Sequence, residues 1–348
     1  MSFITDEDAA SLRIESMILH VVGDDEFRPE PAREVEHEEF FIERIREADV
    51  AAVFAFEDGS QTKAQIERMA KEEDTFEEGG QALSRDFARL HPGSSRDGAF
   101  FIFELRTDDP TVRIYCLIKY DYEEAIEQRN QDGVNLLRLI VQAFVADKRA
   151  IQKFALIRTI DGVAEQTLAA RDRMKQAPEI GDYFANYLHV RRVRDNRQLT
   201  EKAVRAVSDA LKELRELLPN RDVALAFRQV KTMLGTRNRI DEAAVQEAVL
   251  AAAGHPEEER TVGKIQNCVR RKVRVAKLEG LEFPPVRELL QAPALRRLKT
   301  AEGVSVTYPD RVGQTNVDRQ ERVDGGEIIT ITTRRIEEDD IVRLGSRN

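Results

Sequence analysis

The chain has 348 residues, 41% of them hydrophobic, enough for about two domains that each bury a core. With 34% charged residues, 6% aromatics, no tryptophan and 18 glycines, it fits a helix-rich globular protein and not a barrel or a disulfide scaffold. The formal net charge of -10 is unevenly laid: Met1 to Asp147 holds 34 acids and 16 bases, a net of -18, and the remainder carries a net of +8. A basic half joined to an acidic half suits a protein of which only one half meets a polyanion.

Two cysteines, Cys116 and Cys268, lie among apolar neighbours, which fits a reducing compartment and gives no bridge framework or zinc cluster. The opening MSFITDEDAASLRIES is acidic and does not read as a signal peptide. The densest apolar run, Val50 to Phe56, falls far short of the roughly 18 residues of a membrane helix. The expectation is a cytoplasmic protein with no membrane span.

In chain order, LRIESMILHVVG has the β-branched character of a strand, and EEFFIERIREAD places Phe41, Ile45 and Ala48 on one helical face. Ala51 to Phe56 reads either as a buried strand or as that helix continued. QTKAQIERMAKEE and FEEGGQALSRDFARLHPG predict two more helices. GAFFIFELR and VRIYCLIKYDY, separated by TDDPT, predict an antiparallel hairpin. GVNLLRLIVQAF is ambiguous between helix and strand, and KFALIRTID reads as a strand.

From Gln166 onward the pattern reads as helical: TLAARDRMKQA, TEKAVRAVSDALKELRELL, DVALAFRQVKTML and DEAAVQEAVLAAAG, with Thr200 and Asp241 as caps. GVSVTYP and EIITITTRR then predict a terminal hairpin, followed by a loose tail. The fold class is α+β, with a mostly antiparallel N-terminal sheet and packed helices, a mainly helical middle and a C-terminal β-hairpin. The predicted domains are an acidic α+β domain at 1–160, a basic helical domain at 161–300, and a hairpin with tail at 301–348.

KIQNCVRRKVRVAK, from Lys264 to Lys277, holds six cations and no acid. As a helix it puts Ile265, Cys268, Val269, Val273 and Ala276 on one side and its cations elsewhere. An ordinary solvated helix mixes both signs, so Lys264, Arg270, Arg271, Lys272, Arg274 and Lys277 are candidate phosphate contacts. Two further clusters join them: Arg191, Arg192, Arg194 and Arg197, and Arg296, Arg297 and Lys299. Arginine dominates, and its planar fork suits paired hydrogen bonds to phosphate.

No zinc-finger spacing, basic zipper or helix-turn-helix pattern suggests reading of bases, and aromatics are scarce among the basic clusters. The expected partner is duplex DNA held by its backbone. About six phosphate contacts give a log-log salt slope near -5.

Enzymatic signals are weaker. His20, His37, His91, His189 and His255 are scattered without metal-ligand spacing, and no phosphate-cradling glycine loop occurs. HPGSSRDG sets Ser94 and Ser95 near His91 and Asp97, but it reads as a helix-to-strand turn and lacks a nucleophile-elbow pattern. Glu104, Asp109, Lys119 and Asp121 would be the carboxylates and lysine of a metal-dependent nuclease, and strand-end charges explain them equally well. The expectation is no catalysis, no metal and no cofactor.

The order of several segments resembles the bacterial 37-kilodalton nucleoid-associated protein family. The likeness lies in ILHVV, RDFARLHPGSSRDGAFFIFELR, VRIYCLIKYDY, DYFANYLHVRR leading into QLTEKAVRAVSDAL, LEFPPVRELLQAPALRRLKTAEGVSVTYP and EIITITTRR. It spans most of the chain and implies a cytoplasmic, nucleoid-associated DNA binder without a cofactor, and it supplies no residue-level DNA site. The acidic DDEFRPEPAREVEHEE and the strongly basic segment from Lys264 depart from the family. The alternative reading is a protein-interaction subunit of a bacterial defence or chromosome-maintenance assembly, whose basic helix docks on an acidic partner, on its own acidic half, or in a homodimer.

Overall fold

Runs of β-branched and aromatic residues that are apolar on both faces need cover on both sides, and here they build one sheet with helices against it. The computed structural model describes residues 3–23, 27–91, 98–120, 123–131, 134–143, 150–310, 317–322 and 325–337, of which 123–131, 134–143, 294–296 and 310 are described by their backbone. Contacts divide the chain into two units, Met1–Leu290 and Gln291–Asn348.

In the first unit, helix α1 (Asp6–Ser11) is capped by Thr5, whose hydroxyl accepts the Asp8 N–H at 3.1 Å, and leads into strand β1 (Arg13–Val22). Helix α2 (Glu38–Ala48) is followed by β2 (Phe54–Phe56), so the run from Ala51 ends as a buried strand. Helices α3 (Gln61–Ala70) and α4 (Phe76–Leu90) start at Ser60 and Thr75, the latter with a reciprocal capping box to Glu78. The aromatic runs form β3 (Gly98–Arg106) and β4 (Val112–Tyr120), paired antiparallel with Phe103 opposite Cys116.

The ambiguous GVNLLRLIVQAF forms strand β6 (Val134–Ala143), paired with an unanticipated β5 (Glu123–Gln131) in a separate ribbon. Next come β7 (Ile151–Ile160), the short β8 (Val163–Ala164) and β9 (Thr167–Asp172). The start of TLAARDRMKQA is therefore a strand and not a helix. Leu168, Ala169 and Ala170 are all buried, because β9 sits inside the sheet between β7 and β2. Burial on both faces removes the alternation that marks a strand, and pairing on both edges overrides the helical propensity of alanine and arginine.

Helix α5 (Asp182–Leu188) and β10 (Val190–Arg192) complete the sheet, whose order is β1-β3-β4-β7-β9-β2-β10 with β8 on β7. Helix α4 packs on one face, where Phe87 stacks on Phe100 with centroids 4.1 Å apart; α2 packs on the other, with Phe41 against Phe101 and Phe103.

Four longer helices follow: α6 (Asn196–Glu213), α7 (Val223–Thr236), α8 (Glu242–Ala252) and α9 (Glu259–Val275). Asp241 caps α8 as its sequence predicts. Thr200 does not cap α6. Asp195 does, in a capping box with Gln198, and Thr200 is buried one turn inside with its hydroxyl donating to the Asn196 carbonyl at 2.7 Å. Apolar side chains of sheet and helices form one continuous core from Ile4 to Leu290.

The second unit holds two hairpins. GVSVTYP lies in β12 (Ser305–Asp310), paired with β11 (Ala294–Lys299), while EIITITTRR supplies β14 (Glu327–Ile331), paired with β13 (Val317–Glu321). The expected pairing of GVSVTYP with EIITITTRR is thus replaced by pairing of each with its nearer neighbour in sequence, which closes shorter loops. Of the expected tail, IEEDDIVRLGSRN at 336–348, residues 338–348 lie outside the described residues.

The sheet also buries charge. Lys119 and Lys153 face each other across β4 and β7, and both are buried. Lys153 Nζ lies 2.5 Å from Asp172 Oδ1, and Lys119 Nζ lies 2.6 Å from His91 Nε2. On β1, buried His20 accepts the Glu30 N–H at Nε2, 3.0 Å away, and burial holds its pKa down to about 4. The native imidazole therefore stays neutral while the unfolded chain takes up a proton as pH falls below 6.5. Urea midpoints are expected to fall between pH 6.5 and about 4, and less steeply in His20→Asn.

Candidate nucleic-acid interface

Helix α9 buries Ile265, Cys268, Val269 and Val273, as its spacing predicts, and turns its cations outward. Those cations do not stand alone. Arg270 Nε lies 3.4 Å from Glu242 on α8. Glu213, at the end of α6, takes both Arg271 and Lys272, the latter at 2.9 Å, and these two cations hold its carboxyl below the usual range. Arg274 pairs with Asp6 of α1 and, at 3.7 Å, with Glu279. Fourteen residues without an acid are thus largely neutralised by carboxylates from three other segments.

This changes what substitutions on α9 report. Replacing Arg270, Arg271 and Arg274 by Glu sets each new carboxylate against an existing one. The triple variant is expected to lower the thermal midpoint by about a few degrees without any DNA present, checked by calorimetry.

In the second cluster, Arg192 is held by Glu179, by Asn196 Oδ1 at 2.6 Å and by the Arg194 carbonyl at 2.8 Å. Arg197 pairs with Glu201 one turn on, at 3.3 Å. Arg191 and Lys264 are exposed and make no ion pair among the described residues. In the second unit, Arg296 stands opposite Tyr308, Arg297 donates to Ser305 Oγ at 2.9 Å, and Lys299 is exposed.

Arg194 and Lys277 differ from the rest. Arg194 donates to the carbonyls of Lys277, at 2.7 Å, and of Ala52, so its charge is hydrogen-bonded but meets no carboxylate. Burial lowers its pKa. Lys277, in left-handed backbone just past α9, makes no ion pair among the described residues. Both lie in electrostatic range of Lys202 on α6, as does the exposed Arg205. Burial first, then the charges of Arg194, Lys277 and Arg205, hold the Lys202 ammonium below the usual lysine range.

Three cations thus crowd Lys202, and none of the four makes an ion pair among the described residues, so a bound anion would relieve their repulsion. Lys202 and Arg205 were not singled out from sequence, where α6 is read for its apolar face alone; their signal is the spacing of three in EKAVRAV, which puts two cations on one helical face.

Among the described residues, the nuclease set is not assembled. Glu104 is buried on β3 beside Arg106, 3.3 Å away, and Arg113, 3.5 Å away. It stands opposite Tyr115, whereas Lys119 stands opposite Phe100, a separation of about 13 Å along the strand. Asp109 accepts from the Thr111 N–H and hydroxyl, and Asp121, like Ser94, Ser95 and Asp97, lies outside the described residues. Among the described residues, no three His, Cys, Asp or Glu side chains gather as a metal-binding group, and no helix is long and apolar enough to cross a membrane. Both cysteines are free and buried.

No protein-family model matches the chain, and no curated protein matches it.

Proposed function

We propose that the protein is a non-enzymatic binder of duplex DNA, in the cytoplasm and on the bacterial nucleoid, that holds backbone phosphates with little sequence preference. The observation that carries this reading is the cation cluster of Arg194, Lys202, Arg205 and Lys277, none of which makes an ion pair among the described residues. The resemblance to the 37-kilodalton nucleoid-associated proteins supports the same reading, and one of the segments that carry it, QLTEKAVRAVSDAL, holds Lys202 and Arg205.

With the α9 arginines engaged by Glu213, Glu242, Asp6 and Glu279, the phosphate contacts are fewer than the basic segment alone suggests. About four contacts give a log-log salt slope near -3.6. The test is titration of the full chain onto a labelled random-sequence duplex, with salt varied from roughly 50 to 200 mM, beside a single strand of equal length. A slope near -3.6 with no sequence preference supports the reading; absence of binding at the lowest salt rejects it.

A second reading draws on the same ion pairs. The contact of Arg274 with Asp6 joins the basic segment to the acidic N-terminal segment, which favours a helix used for protein contacts, within the chain, in a homodimer or on an acidic partner. An apparent mass that falls as salt rises would favour assembly over DNA binding.

A further inference from the structure

In the first unit a cleft of about 270 Å³ opens where the end of α2, the ends of β7 and β9, the loop after β9 and the turn at Gly280 meet. Its apolar lining includes Val50, Ile151, Phe154, Ala170 and Leu281. Four carboxylates line it, and each already holds a cation. Glu47 pairs with Arg44 at 3.3 Å, Asp172 with Lys153 at 2.5 Å, Glu179 with Arg192, and Glu282 with Arg239.

Three further cations line the same cleft, Arg171 at the end of β9 and Arg173 and Lys175 in the following loop, and Arg171 and Lys175 make no ion pair among the described residues. Arg171 is exposed, and Glu282 lies within its electrostatic range. The lining alone balances in charge, with four carboxylates and four cations, and the excess of positive charge comes from Arg44, Lys153 and Arg192, which engage three of those carboxylates from outside it.

We propose that this cleft binds a small organic phosphomonoester, whose head meets Arg171 and Lys175 and whose apolar body lies on Ile151 and Ala177. A phosphomonoester carries about -1.5 to -2 charges at neutral pH, which matches two cations better than a carboxylate does. The arginine fork accepts two phosphate oxygens, and the lysine adds a point charge. The volume lies just below the usual range of ligand pockets, roughly 300 to 1,000 Å³, so the site takes one small molecule and not a nucleic-acid strand.

Calorimetric titration of the full chain with phenyl phosphate, inorganic phosphate and phenol tests this. Phenyl phosphate is expected to bind one to one, at least about tenfold more tightly than inorganic phosphate or phenol, because it alone fills both halves of the cleft. Arg171→Gln and Lys175→Gln, each checked for an unchanged melting temperature, should each weaken it at least about fivefold. Both residues are exposed, so each substitution is expected to leave the fold intact and to report on binding alone. Failure of phenyl phosphate to saturate, equal affinity for inorganic phosphate, or full affinity retained in Lys175→Gln would overturn the proposal.

Discussion

Asp172→Ala is expected to destabilise the protein by about 3–5 kcal/mol, measured as a fall in the urea-unfolding free energy. Asp172 is the sole carboxylate paired with Lys153 among the described residues, at 2.5 Å, and both side chains are almost wholly buried. It also accepts the Met174 N–H at 2.9 Å and the Gly181 N–H at 2.7 Å, which ties the loop after β9 to the sheet. Removing it strands an ammonium beside a second buried lysine, Lys119, with the Tyr183 ring 5.1 Å away. Lys153→Met in the same background removes the stranded charge and should recover part of the loss, because an apolar chain of similar volume needs no counter-ion. A loss below about 1 kcal/mol in Asp172→Ala would show that water reaches the pair.

Gly280→Ala is expected to cost about 2–4 kcal/mol, against about 1 kcal/mol for Gly59→Ala, both read from calorimetric midpoints. Both glycines have positive φ, +68° and +84°. A Cβ at Gly280 would sit 2.7 Å from the Asp49 carbonyl oxygen and 3.2 Å from Val50 Cα, whereas at Gly59 it would meet nothing within 4 Å. The difference between the two variants isolates the steric part from the backbone strain. Gly280 matters because its turn fastens the helices to the sheet. The Ala51 N–H donates to the Glu279 carbonyl at 3.0 Å, and Arg194 bridges the carbonyls of Lys277 and Ala52. Equal costs at the two glycines would mean that the turn yields.

Where periodicity reports burial on one face, the sequence is legible. Ile265, Cys268, Val269 and Val273 mark the inner side of α9, and the aromatic runs at β3 and β4 mark the sheet centre. Periodicity fails at Leu168 to Ala170, where both faces are covered and three consecutive residues are buried. It also cannot choose partners. LRRLK reads as a basic cluster, yet its backbone is the strand that pairs with GVSVTYP.

The candidate site shows the same limit more sharply. Cations are visible in sequence, but their neutralisation by Asp6, Glu213 and Glu242 arises from segments far apart in the chain. The converse holds for Lys202. It is an unremarked residue on a helix dense in charge until folding places it near Arg194 and Lys277.

The most direct test of the DNA-binding account compares the wild-type chain with Lys202→Gln/Arg205→Gln/Lys277→Gln on the same random-sequence duplex across salt. Glutamine removes each charge, keeps an unbranched polar side chain and sets no new carboxylate against a neighbour, so the fold is expected to persist. The account expects the salt slope to shrink by about one per cation removed, from near -3.6 to near -1, with affinity at the lowest salt falling at least about tenfold. A triple variant that keeps the wild-type slope and affinity would contradict it.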